Sequence, residues 1–190
     1  MTSKKITPTA EMLRSLLDYN TETGTFLWKE REPSQFSGCE NPEHSCKRWN
    51  AIFAGRPAGA RHSKGYWVIV LFRHHYKAHR IAWAWITGEW PDGDIDHVNR
   101  AKSDNRWCNL RPATSSQNMA NRGLSKANST GVKGVTFHKA TGKWLAQIRV
   151  NNVQTHLGVF DEVADAATAY QKAAKHHFGE YAYVSKGDGR

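Results

Sequence analysis

The chain has 190 residues, 39% of them hydrophobic, and a formal net charge of +10. It is long for one domain, suited to two small ones, and basic enough to favour an anionic partner. No apolar run reaches the ~20 residues that a membrane span needs, and the N-terminus has no apolar h-region, so neither a membrane partner nor a secretory signal is expected. Three cysteines, an odd number, argue against a disulfide framework and for a reducing compartment such as the cytoplasm.

The charge is concentrated in the middle of the chain. Residues 47–128 hold 14 Lys and Arg against 5 Asp and Glu. Together with eight tryptophans, this block favours nucleic-acid binding over a merely solvated basic face.

In chain order, residues 7–18 read as a short helix capped by Thr7, with Pro8 in its first turn and Met12, Leu13, Leu16 and Leu17 on one stripe. Asn20–Gly24 is a turn and Thr25–Trp28 the start of a strand. Residues 31–50 read as an irregular loop insertion. Cys39, His44 and Cys46 suggest zinc, but six residues separate the cysteines, wider than the usual C-x₂₋₄-C pair, so the plain loop is preferred. Residues 65–77 read as a hairpin apolar on both faces, and 78–87 as a helix ended by Gly88. His74, His75 and His79 lack a carboxylate set that would complete a metal site, so packing or phosphate contact is the reading.

The run IDHVNRAKSDNRWCNLRPATSSQNMANR, residues 95–122, carries the chemistry. Its pattern is a short strand at Ile95, a basic loop, a returning strand at Leu110-Arg111 ended by Pro112, and a helix capped by Ser115 or Ser116. Asp96 and Asn118 offer hard oxygen ligands for Mg²⁺ or Mn²⁺. His97 offers a base for water, with an ordinary pKa of ~6.5. Asn109 offers an amide oxygen to accept from the imidazole and fix its tautomer. In a regular strand Asp96 and His97 point to opposite sides, so both reach one phosphate only at a bulge or strand end. Each residue alone is weak; the four together supply what phosphodiester hydrolysis needs.

Beyond a small polar linker, residues 123–128, the pattern changes. Val132–His138, Lys143–Val150 and Thr155–Phe160 read as three strands. A helix capped by Asp161 follows, its apolar face running from Val163 to Phe178, and Gly179 ends it.

The segments GYWVIVLF, AHRIAW, IDHVN, DNRWCNLR and QNMANR, with the turn at Gly88 and Pro91, closely resemble HNH homing endonucleases of phage introns and free-standing phage genes. LLDYNTETGTFLWK looks like their usual lead-in. The resemblance implies a ββα-metal fold over residues 65–122, with His97 as general base, Asn109 orienting it and tying the loop, and Asp96 and Asn118 holding the metal. Asn118 stands where other branches carry histidine, which agrees with the Mg²⁺-using homing branch. Residues 129–184 resemble the plant ethylene-response-factor DNA-binding domain, through KGV at Lys133, GKWLAQIR, LGVF and ADAATAYQKAAKHHFGEYA. That resemblance implies a sheet in the DNA major groove, read by Lys133, Thr136, His138, Lys143, Gln147, Arg149, Gln154 and His156. Thr136, His138, Gln154 and His156 replace arginines of that family, which bears on its GC-rich preference.

The expected fold class is α+β: a lead-in over residues 1–64, an HNH nuclease domain over 65–122, the linker, a three-stranded antiparallel sheet on one helix over 129–184, and a tail, 185–190. The expected function is Mg²⁺-dependent cleavage of double-stranded DNA in a bacterial host, phage-encoded, with monomer and dimer both open. The rivals are a DNA-binding regulator with a decayed nuclease, an RNA-directed protein, and a zinc-stabilised structural module.

Overall fold

Helices and short antiparallel sheets alternate along a chain that divides into two units, residues 1–112 and 113–190. The fold is known from a computed structural model that describes residues 7–183. The expected tail, 185–190, lies outside the described residues. The α+β expectation holds.

In the first unit, α1 (Ala10–Leu16) starts at Thr9, whose hydroxyl accepts from the Met12 N–H at 3.2 Å, and not at Thr7. It ends where Leu17 turns extended and opens β1 (Leu17–Tyr19), which pairs with β2 (Phe26–Trp28). The turn between them is set by Asn20, whose Oδ1 accepts from the backbone N–H groups of Glu22 and Thr23. The irregular insertion expected at 31–50 is overturned: α2 (Pro42–Phe53) fills much of it. Asn41 caps that helix by accepting from the His44 N–H, and Pro42 sits at its first position, where a missing N–H costs nothing.

A sheet of β3 (Ala60–Arg61), β4 (Trp67–Leu71) and β5 (His74–Lys77) follows. Phe72 and Arg73 form its two-residue hairpin turn at φ 50° and 65°. The hairpin is not apolar-buried on both faces: Ile69, Leu71 and Tyr76 are buried, but Val70 is 48% exposed. Next, α3 (Ala78–Thr87) ends at left-handed Gly88 as expected. Then β6 (Asp94–His97) pairs with β7 (Leu110–Ala113), which runs through Pro112 instead of ending there. The core joins Leu13, Leu17, Phe26, Ile69, Ile81, Ile95 and Leu110. Burying each such side chain contributes ~1.5–3 kcal/mol.

The second unit opens with α4 (Ser115–Asn121). Its cap is Thr114, in a capping box with Gln117, and not Ser115 or Ser116. An exposed irregular stretch covers residues 122–127. The sheet is β8 (Val135–His138), β9 (Lys143–Val150) and β10 (Val153–Phe160), in the order β10-β9-β8, all antiparallel. The first strand starts three residues later than expected because Gly134 adopts φ +71°. A Cβ there would lie 2.2 Å from the Tyr170 ring. The long helix α5 (Val163–Phe178) has Glu162 at its cap position; Asp161 instead pairs with Lys143 at 2.9 Å. Ala146, Ile148, Ala166, Tyr170, Ala174 and Phe178 close this core.

Candidate active site

Strand β6 delivers Asp96 and His97 side by side, and both are buried, each 5% exposed. Alternation separates them, as the strand period requires. Arg111, on the paired strand, holds Asp96 Oδ2 through its Nε and one terminal nitrogen, each at 3.0 Å. On the other side His97 Nε2 faces Asn105 Oδ1 at 3.3 Å. Asn105 is itself buried, and its Nδ2 donates to the Ser103 carbonyl at 3.3 Å, which turns the amide oxygen toward the ring. An amide oxygen only accepts, so Nε2 carries the proton and Nδ1 of the neutral ring is the basic nitrogen.

Burial is the largest influence on the His97 ring and drives its pKa below the ordinary histidine value. The hydrogen bond to Asn105 and the charges of Asp96 and Asp104 oppose that shift, and Lys102 reinforces it. The net effect keeps the imidazole neutral, the form a base requires.

Asn109 serves the loop between the two strands. Its Oδ1 accepts from the Asn99 N–H at 2.9 Å, its Nδ2 donates to the Asp104 carbonyl at 2.8 Å, and its backbone carbonyl takes the Val98 N–H. The expectation had Asn109 accepting from the imidazole; the structure gives that position to Asn105, which sequence reasoning missed. The signal was present in DNRWCNLR, which holds two asparagines four residues apart, and spacing alone does not choose between them. Asp104 locks the same loop by accepting from Asn99 and Arg106. The Arg106 guanidinium, first among several hydrogen bonds, pulls the Asp104 carboxyl down to about 2.

The N-terminal hairpin holds this loop from behind. Tyr19 Oη donates to the Asn105 carbonyl at 2.6 Å, and Trp107 N donates to the Thr21 carbonyl at 3.0 Å. Gly24, at φ +73°, lies against the same backbone: a Cβ there would stand 2.4 Å from Arg106 N.

Of the three histidines that precede the motif, only His79 joins the site. Its ring meets that of His97 edge-on, with centroids 4.9 Å apart, and it is buried with Nδ1 lacking a hydrogen-bond partner. Burial, then the neighbouring His97, Lys77 and Arg80, push it down to about 2. Among the described residues no three His, Cys, Asp or Glu side chains form a metal-ligand group. Cys39 is exposed, while the buried Cys46 thiol donates to the Arg31 carbonyl, so Cys39, His44 and Cys46 make no zinc cluster there. Asp96 is a buried carboxylate of the oxygen-donor type that a hard cation takes, but Arg111 holds its Oδ2, so a cation there would have to share or displace that pairing.

Asn118 lies in the first turn of α4, half-buried, in the second unit. In that unit the registers Arg149↔Gln154, Gln147↔His156, Thr136↔Leu145 and His138↔Lys143 place the strand residues of the expected DNA-facing set on one sheet face. Arg149 donates to Gln154 Oε1 at 2.9 Å, and Gln154 donates to Gln147 Oε1 at 2.5 Å. Lys133 departs from that set. Its ammonium donates to the carbonyls of Met119, Ala120 and Arg122 at the end of α4.

A family model described as HNH endonuclease matches residues 76–120, from β5 through α3, β6, the loop and β7 into α4. The chain therefore carries an HNH endonuclease domain over these residues, as expected from the resemblance.

Proposed function

We propose that the protein is a divalent-metal-dependent DNA endonuclease of the homing type, guided to its site by the sheet of its second unit. What supports this reading is the geometry at His97, which is buried next to Asp96 in β6 with Asn105 Oδ1 3.3 Å from its Nε2, inside the span matched by the HNH endonuclease model.

In the proposed reaction His97 Nδ1 takes a proton from water, the oxygen attacks phosphorus as the P–O3′ bond breaks, and the leaving O3′ takes a proton from solvent water. The products are a 5′-phosphate and a 3′-hydroxyl. Asn105 keeps the ring in the tautomer that makes Nδ1 the acceptor. Asn109 holds the loop that carries Asn105. Asp96 and Asn118 would hold Mg²⁺ or Mn²⁺, which supplies charge stabilisation to the leaving oxygen. Gln147, Arg149, Gln154, Thr136, His138, Lys143 and His156 are the proposed DNA-reading face, acting on duplex DNA in a phage-infected bacterial cell.

A nicking assay on duplex DNA, with Mg²⁺, Mn²⁺ or EDTA, tests the reading. Wild type is expected to cut and EDTA to stop it. His97→Ala should abolish cutting while binding persists, because the base acts in the transition state. Binding without cleavage by wild type under every cation would favour the decayed-nuclease regulator.

A further inference from the structure

The side chain of Tyr66 holds two ammonium groups beside the candidate base. Lys77 Nζ lies 4.6 Å and Lys102 Nζ 4.8 Å from its ring centre. The same ring lies 5.3 Å from that of His79 and 6.2 Å from that of His97. These residues come from three places: the entry to β4, the residue that joins β5 to α3, and the basic loop after β6. The fold thus gathers two cations around one aromatic ring next to the reacting centre.

Other cations of this region are occupied. Arg111 pairs with Asp96 and Arg106 with Asp104, while Arg80 donates to the carbonyls of Pro91 and Gly93. Lys77 and Lys102 have no carboxylate partner among the described residues. The polar contact of Lys102 is a long one, 3.4 Å to the Lys64 carbonyl. Two like charges gathered on one ring repel one another, and the aromatic ring offsets only part of that repulsion. An anion bound by both would remove it.

We propose that Tyr66, Lys77 and Lys102 form a phosphate-anchoring subsite, which grips a backbone phosphate of the DNA next to the scissile bond. This rests on the nuclease reading above. Tyr66 is the platform and a positioning residue; the two lysines bind the phosphate. The lysines act as point charges on flexible stems, so they hold the backbone without selecting sequence.

Duplex binding by the full chain, measured across a salt series, together with single-turnover cleavage, tests the subsite. Lys77→Gln with Lys102→Gln should make the slope of log affinity against log salt shallower by about 1.8, since each lysine removed from the phosphate backbone lowers it by ~0.9. Cleavage should weaken through KM, with the rate at saturation retained. Lys77→Arg with Lys102→Arg should restore the slope. Tyr66→Leu should reproduce the double loss in part, whereas Tyr66→Phe, which keeps the aromatic face, should behave as wild type. Melting temperatures of all variants separate misfolding from weakened phosphate binding. An unchanged slope in the folded double Gln variant, or wild-type behaviour of Tyr66→Leu, overturns the proposal. Should wild type cut under no cation, the nuclease reading fails, and the binding slope still decides the subsite.

Discussion

An imidazole becomes a directional base only when one nitrogen is made to keep its proton. Asn105 does this for His97, and its own amide is oriented by the Ser103 carbonyl. Removing such an outer partner typically costs about 10- to 100-fold. Asn105→Ala is therefore expected to lower the single-turnover rate by that factor with binding intact, while Asn105→Asp, which still accepts at the same place, should recover most of it. Equal losses in both variants would mean that the residue serves the loop and not the ring. His79 makes a different contribution, visible in stability. Its pKa is pushed down to about 2 in the folded chain from an ordinary 6.5. Above pH 6.5 both states hold it neutral, and it adds no pH dependence. As pH falls from 6.5 toward 2 only the unfolded chain takes up the proton, so stability drops by up to about 1.4 kcal/mol per pH unit. His79→Phe should flatten that part of a stability–pH curve; an unchanged acid limb would show that the ring is protonated in the folded protein.

The hairpin β1–β2 does for the loop between β6 and β7 what Asn105 does for the ring. Tyr19, Thr21 and Gly24 all meet the backbone of residues 105–107. Gly24→Ala places a methyl 2.4 Å from Arg106 N at a left-handed φ. The expected cost is ~1–3 kcal/mol of stability from backbone strain and overpacking, with cleavage falling further than binding because the loop carries Asn105. Thermal melts and cleavage rates check both halves. In the second unit, Lys133 terminates α4 by donating to the carbonyls of Met119 and Ala120 in its last turn and of Arg122 at its C-cap. Lys133→Met keeps the stem and loses the cap; a destabilisation of about 1–2 kcal/mol is expected, from a missing charge-assisted bond at a helix C-terminus. Local sequence explains why some elements were legible and others not. Gly88 ended α3 and the apolar face of 163–178 made α5, because both signals are periodic or backbone-determined. The helix α2 was hidden because its apolar face is weak, with Cys46 its one buried residue, and because Cys39, His44 and Cys46 imitate a metal-binding loop in sequence. Caps shifted by one or two residues at Thr9 and Thr114, where several hydroxyls compete in sequence and only geometry selects one.

At the scale of the molecule, sequence showed the charge, the α+β pattern and the position of Asp96 and His97, since each is written in contiguous residues. It did not show contacts between distant segments: Tyr19 against Asn105, Arg111 across to Asp96, Lys77 and Lys102 on one tyrosine. Such pairings depend on the tertiary fold, and no periodicity encodes them. The proposed division of labour between two units makes a separable prediction. If cutting belongs to the His97 site and site choice to the sheet of the second unit, the two should be lost independently. The sheet residues Arg149, Gln154 and Gln147 form one hydrogen-bonded row across β9 and β10. Arg149→Ala removes its charged member and leaves Gln154 without its donor. A bidentate Arg–base contact is worth ~1–3 kcal/mol of discrimination. Arg149→Ala is thus expected to spread cleavage over more positions and to weaken specific binding by roughly 5- to 150-fold, with the bond-breaking rate at saturation unchanged. His97→Ala should do the reverse, leaving the footprint in place and removing the cut. End-labelled substrates, mapped on both strands for each variant, read the two effects in one experiment. A sharp wild-type cut position in Arg149→Ala would assign site choice to another surface and leave the sheet with a structural role.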